Sequence, residues 1–227
     1  MNVLAIETAT EACSAALLVG SEVIDVFQIA PREHGNLILT MVDGLLNEAG
    51  MTLQQLDALA FGRGPGSFTG VRMATGVIQG LAFSADLPVA PVSTLTALAQ
   101  KEVNSGEGQT IYAALDARMG EVYWCEYVVE KGRLKAISEE VVINPNEIIV
   151  EQGKNAIGIG HGWRAYKEVI LNKVAAQSIE LQADQLPRAK EVAHLAIAMI
   201  ESKQTVSAEN ALPVYLRDNV AKKKAQQ

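Results

Sequence analysis

A chain of 227 residues, 49% hydrophobic but only 5% aromatic, is long enough to bury a sizeable core as one large domain or two small lobes. With 26 acidic against 19 basic side chains, the formal net charge of −7 argues against a broad surface that grips nucleic-acid phosphates unaided. Two cysteines without C-x-x-C spacing suggest neither a zinc site nor a redox pair. No apolar run reaches the roughly 18 residues of a membrane span, and the opening strand-like run has no basic signal-peptide region, so the expected compartment is the cytoplasm.

In chain order, Asn2–Glu7 is a nearly continuous apolar run, the pattern of a buried strand. Ala12–Val19 and Glu22–Ile29 follow as strands across the hairpin turn Gly20-Ser21. Glu33–Ala49 carries two adjacent apolar rows at helical spacing, Leu37, Met41, Leu45 and Ile38, Val42, Leu46, and Gly50 stops it. Leu56–Phe61 is the next strand and Thr69–Ala85 the next helix. Between them lies Gly62-Arg63-Gly64-Pro65-Gly66-Ser67-Phe68-Thr69-Gly70-Val71-Arg72, with four glycines and a proline. Glycine lets a ligand or another chain approach the backbone closely, and a helix N-terminus offers free N–H groups. Arg63, Gly64, Gly66, Ser67, Thr69, Gly70 and Arg72 therefore make a candidate anion site. The competing reading is a tight turn with Ser67 or Thr69 as the helix N-cap. Val89–Val92 is a short strand, Ser93 or Thr94 caps a helix to about Glu102, and Asn104-Ser105-Gly106-Glu107-Gly108 reads as a linker.

The order then restarts. Thr110–Asp116 is an apolar strand ending in an acid, as Asn2–Glu7 is. Glu121–Val129 and a third strand after Lys131-Gly132 follow. Then come a helix around Pro145–Gln152, a strand at Ala156–Gly160, a helix from Trp163, and a long helix from about Pro187 to Ser202. Repetition of β-β-β-α-β-α units predicts an α/β protein of two duplicated lobes, residues 1–104 and 109–227. Each is a mixed sheet with helices, and the last helix and tail are expected to pack back on the first lobe.

Two such units facing each other resemble the actin-like (RNase H-like) ATPase superfamily. In that superfamily, acids at the ends of the first strands of both lobes flank a nucleotide phosphate and its metal, and Glu7 and Asp116 stand at those places. Their surroundings depart from the pattern. Thr8-Ala9-Thr10 lacks the expected glycine, and Ala117-Arg118 replaces a glycine pair whose smallness lets N–H groups wrap the phosphate. Gly158-Ile159-Gly160-His161-Gly162-Trp163 is a loose echo of the adenosine motif. The resemblance implies a kept fold and two vestigial phosphate-site acids.

Leu4–Thr10, the glycine loop, Asp116–Tyr123 and Pro213–Arg217 together are similar to the TsaB (formerly YeaZ) family, a paralogue of TsaD, over essentially the whole chain. That resemblance implies a part in making N6-threonylcarbamoyladenosine at position 37 of tRNAs that read ANN codons. TsaB there is a non-catalytic scaffold paired with the metal-holding transferase TsaD and joined by the ATPase TsaE. It implies no catalytic cofactor, room for a nucleotide at the partner interface, tRNA reached only through the complex, and a homodimer when alone.

The histidines fit that division. A metal-binding helix places H-x-x-x-H on one face, whereas Ile38 stands four residues after His34, and His161 and His194 have no ligand-spaced neighbour. H-E-x-x-H and G-x-S-x-G are absent as well. The remaining resource is surface. Gly76 and Gly80, four apart on the second helix, permit close helix approach, and the resemblance assigns Leu37, Met41, Leu45, Met73, Gly76, Val77 and Gly80 to the pairing face. The alternative is that both rows face their own sheet. Lys222-Lys223-Lys224 reads as a solvated charge run. Competing functions are an actin-fold enzyme, either small-molecule kinase or metallohydrolase, and a stand-alone homodimeric binding protein.

Overall fold

A computed structural model describes residues 1–150, 155–174 and 178–217. The first half supplies β1 (Asn2–Glu7), β2 (Ala12–Val19), β3 (Glu22–Ile29), α1 (His34–Glu48), β4 (Ala58–Gly62), α2 (Phe68–Ala85), β5 (Val89–Val92) and α3 (Thr94–Gln100). The second supplies β6 (Thr110–Arg118), β7 (Glu121–Glu130), β8 (Arg133–Ala136), β9 (Val141–Ile143), β10 (Ala156–Ile159), α4 (His161–Lys173), β11 (Ile179–Gln182) and α5 (Ala189–Glu201).

The strands form two sheets, ordered β3-β2-β1-β4-β5 and β8-β7-β6-β10-β11, with β9 added beside β7. Each half thus lays its first strand at the centre. The second and third strands run off antiparallel on one side, and the later strands join in parallel on the other. Both sheets thus follow the one arrangement that the repeated order of elements predicts. The nearly continuous apolar runs at β1 and β6 reflect that position, because a central strand covered on both faces has no solvent side to make polar.

Three expectations need correction. The helix around Pro145–Gln152 is one 3-10 turn, Pro145–Glu147, capped by the Asn144 side chain and ended by extended backbone at Ile148; its last two residues lie outside the described residues. The short strands β9 and β11 had no periodicity long enough to read. The last helix starts at Ala189, two residues later than expected.

The halves exchange helices. α3, encoded with the first lobe, packs Leu95, Leu98 and Ala99 against Ile111, Ala113, Cys125 and Ile159 of the second sheet. α5, encoded with the second, covers the first sheet with Ala189, Val192, Ala193 and Ala196 against Val3, Ala5, Ala16, Ala60 and Ala90. Both sides of that contact are mostly alanine, so helix and sheet approach closely. The Ser14 hydroxyl accepts the Ala189 N–H at 2.9 Å and fixes where the helix begins. The opposite face of the first sheet is covered by α1 and α2 through Ile38, Val42, Leu45, Ala74, Ile78 and Ala82.

Because Ala193 is fully buried in an alanine-lined contact, Ala193→Leu should overpack it and cost about 1–3 kcal/mol of stability in urea unfolding. A neutral result would show that α5 lifts off the sheet without penalty.

Candidate functional site

The glycine loop and the end of β1 form one unit. A β-carbon on Gly62 would collide with the Glu7 carboxylate, one on Gly66 with the Ala9 carbonyl, and one on Gly70 with the Thr8 carbonyl. The smallness of these glycines is therefore spent on the protein's own turn after β1. Gly66 does not have a positive φ; closeness rather than backbone handedness demands glycine there. Gly64 does, at 97°, and a side chain on it would also press on the Val214 carbonyl at 2.8 Å. The Ser67 N–H donates to Ala9 O at 2.7 Å, and the Ser67 hydroxyl caps α2 by accepting the Gly70 N–H. Ser67, not Thr69, is the N-cap. The candidate anion site is thus corrected: carbonyls and a buried carboxylate face this loop, a poor surrounding for an anion.

Glu7 itself is sealed, with no solvent exposure. Its Oε1 accepts the Ala9 N–H at 2.6 Å and its Oε2 the Thr94 hydroxyl at 3.3 Å. Burial lifts its pKa from an ordinary 4.5 to about 7, against the lowering effect of these hydrogen bonds. Thr8 donates its hydroxyl to Gly70 O at 2.7 Å, which ties the same turn to α2.

Asp116, the second acid, is elsewhere and differently used. Its Oδ1 accepts the Arg118 N–H at 2.8 Å and the Tyr166 hydroxyl at 3.3 Å. Its own N–H donates to His161 Nδ1 at 2.9 Å, so that nitrogen is unprotonated. Burial lowers the His161 pKa, with Glu11, 3.7 Å from Nε2, opposing. No hydrogen bond or ion pair joins Glu7 to Asp116 among the described residues. The turn after Asp116 is a two-residue hairpin loop, Met119-Gly120, that forces positive φ on Met119 and Gly120; Arg118 beside it is also left-handed, at 60°. The echo of the adenosine motif is filled too. The Trp163 ring occupies the place of a Gly158 side chain, and Ala114 lies against Gly160 and Gly162. Trp163 is fully buried and donates its indole N–H to Tyr112 O at 2.9 Å.

His34 is buried, with Nε2 2.9 Å from Thr10 O and 3.1 Å from Ala12 O, and so serves the same turn as Glu7. His194 is exposed. No group of three or more His, Cys, Asp or Glu side chains among the described residues is arranged to hold a metal ion.

The expected pairing residues divide. Gly76 and Gly80 are exposed, with open space where side chains would be, and Met73 and Val77 are half-buried beside them. Leu37 is half-buried. Met41 and Leu45 are corrected: both belong to the core under the first sheet, Leu45 at 1% exposure, because α1 turns this row inward along with Ile38 and Val42.

Sequence reasoning missed a strap. Residues 211–217 run from the first lobe to the second across the glycine loop. Ala211 O accepts from Gln79, Val214 N–H donates to Arg63 O at 2.8 Å, and Arg217 pairs with Glu121 on β7 and donates to Arg118 O. Arg63 reaches Glu140 of the second lobe at 3.8 Å. Arg72 donates Nε–H to the Tyr215 hydroxyl at 2.8 Å, 143 residues away in sequence, a separation that no local pattern signals. The Lys222-Lys223-Lys224 run lies outside the described residues.

Comparison with known proteins gives one consistent picture. The family model described as "TsaD: tRNA N6-adenosine threonylcarbamoyltransferase" matches residues 26–225. The tRNA threonylcarbamoyladenosine biosynthesis protein TsaB of Escherichia coli is 44% identical over 99% of this chain and 98% of its own. The protein of the same description from Haemophilus influenzae is 43% identical over 99% and 97%. The solved structure of YeaZ from Pseudomonas aeruginosa superposes with a TM-score of 0.87 at 43% identity, covering 95% of this chain and 99% of that one.

Two predictions follow from the sealed turn. The folded protein holds the Glu7 proton more tightly than the unfolded chain does, so the Glu7 contribution to stability is fully present below pH 4.5 and is lost as pH rises to about 7. At about 1.4 kcal/mol per pH unit the loss is on the order of 3 kcal/mol. Glu7→Gln, which can still accept from Ala9 and can donate to Thr94 Oγ1, should flatten that slope and raise stability at pH 8 in pH-dependent urea melts. Separately, Gly66→Val should push the Ala9 turn away and destabilise by about 1–3 kcal/mol, whereas Ser67→Ala should cost only a cap, about 1 kcal/mol. Equal melting temperatures for the two variants would contradict the packing described.

Proposed function

The chain belongs to the TsaB family of tRNA threonylcarbamoyladenosine biosynthesis proteins, and from that premise we propose that it is a non-catalytic scaffold and activator of N6-threonylcarbamoyladenosine formation at position 37 of tRNAs reading ANN codons. In this reading it pairs with the transferase TsaD, works with the ATPase TsaE in the cytoplasm, and meets tRNA through the complex. No helix among the described residues is long and apolar enough to cross a membrane.

The observation that carries the non-catalytic reading is the sealed Glu7. A phosphate-site acid must meet solvent, metal or substrate, and this one is fully buried against Gly62, Ala9 and Thr94. Burial also favours its protonated form up to about pH 7, whereas metal binding needs the carboxylate. The turn at Gly158–Trp163 is likewise occupied by the Trp163 ring and by Ala114. What the chain offers instead is surface. The outward row of α2, with Gly76 and Gly80 bare, suits close approach of a partner helix, as in pairing of two paralogous helix pairs.

Reconstitution tests this reading. Supplied with ATP and an activated threonylcarbamoyl donor, purified TsaD and TsaE should form little modified nucleoside in tRNA transcripts without this chain and recover full activity on its addition. Glu7→Gln should support the same rate as wild type at saturating concentration, because the acid performs no chemistry. Loss of modification in Glu7→Gln with the fold intact, or threonylcarbamoyl transfer by the chain alone, would favour the actin-fold enzyme instead.

A further inference from the structure

The outward side of α2 is more than a glycine row. Phe68, Arg72, Gly76, Gly80 and Phe83 are all exposed and fall on one side of the helix at spacings of three to four residues. Phe68 is 51% and Phe83 84% exposed, large values for phenylalanine. The two rings stand fifteen residues apart, roughly 22 Å along the axis, which is about four turns of a helix. Between them Gly76 and Gly80 leave an open floor, since a β-carbon on either would meet nothing within 4 Å.

Arg72 is held at one end of this floor. Its guanidinium lies 3.8 Å from the Phe68 ring centroid and 5.7 Å from that of Tyr215. Its Nε–H donates to the Tyr215 hydroxyl at 2.8 Å, and the two rings are themselves 5.7 Å apart. Arg63, Arg164 and Arg217 have carboxylate partners, whereas Arg72 has none within 4.0 Å among the described residues. An arginine held on two rings has already lost much of its side-chain freedom, so less is lost when a ligand binds. Its terminal nitrogens keep the fork that matches a carboxylate.

Resting on the pairing reading above, we infer that Arg72, fixed by Phe68 and Tyr215, anchors the docking face of α2 by binding a carboxylate on a helix of the TsaD partner, and that the strap 211–217 is thereby part of that face. The shape of the site selects a protein over RNA. A phosphate would be satisfied by Arg72 alone, but the glycine floor and Phe83 call for an apolar, helical neighbour, and a chain of net charge −7 disfavours a nucleic-acid backbone. An arginine held among aromatic rings is a composition typical of interface hot spots.

The test titrates full-length wild type, Arg72→Ala, Arg72→Lys, Tyr215→Phe and Phe83→Ala against purified TsaD by calorimetry, with circular dichroism to establish that each variant is folded. Arg72→Ala and Phe83→Ala should each weaken pairing roughly tenfold or more. Arg72→Lys should recover only part of the loss, because an ammonium cannot bind both carboxylate oxygens in one plane. Tyr215→Phe should fall between wild type and Arg72→Ala without a change in melting temperature. If wild type pairs and the Arg72 and Tyr215 variants pair equally well, the inference is wrong and the pairing reading stands. If wild type does not pair at all, both fall. Loss of tRNA binding, or of self-association alone, with pairing intact would assign Arg72 to RNA or to a second copy and overturn it.

Discussion

The structure depends on a single close approach, that of the turn after β1 to the glycine loop after β4. The Glu7 carboxylate, the Thr8 carbonyl and the Ala9 carbonyl occupy the places where side chains at Gly62, Gly70 and Gly66 would stand. Any larger residue on either side would separate β1 from the start of α2. Around this contact, Thr8 bonds to Gly70, Ser67 to Ala9 and His34 to the carbonyls of Thr10 and Ala12. The turn is closed by the chain's own backbone. A buried carboxyl favoured in its neutral form is the cost of that closure, and Thr94 and the Ala9 N–H reduce it.

The rest of the molecule is braced against this unit from both lobes. α3 crosses to the second sheet and α5 crosses back to the first, so neither lobe has a complete core alone. Thr94, which reaches Glu7, opens α3, whose Leu95, Leu98 and Ala99 pack on the second sheet. The strap then ties the outside of the glycine loop to the β6–β7 hairpin through Val214 and Arg217. Closure of the first turn, docking of the second lobe and placement of the strap are therefore mechanically connected. Such bracing suits a rigid surface better than a hinged cleft that must open for substrate.

The same packing is consistent with the scaffold reading. Glu7 and its turn are sealed, Arg118-Met119-Gly120 is a left-handed stretch, and Trp163 is buried. What remains available is exterior: the bare floor of Gly76 and Gly80, the exposed rings of Phe68 and Phe83, and an arginine without a counter-charge among the described residues.

The amino-acid order by itself determined the duplicated strand and helix sequence, because apolar runs, helical spacing and glycine stops are local signals. β1 to β3 and β5 need no knowledge of distant residues. The family, too, was legible in the glycine loop and the opening strand. The purpose of the glycines was not. Whether the space over Gly66 holds an anion or the Ala9 carbonyl depends on a contact between segments more than fifty residues apart, which no spacing reports. Which way the rows of α1 face was equally hidden: Leu45 has the periodicity of a surface row, but the two-row apolar sector is wider than the sheet contact alone suggests, and packing against β2 and α2 turned it inward. The strap and the Arg72–Tyr215 contact belong wholly to the tertiary level. They join residues 143 apart, and only the folded chain brings an exposed arginine between two aromatic rings.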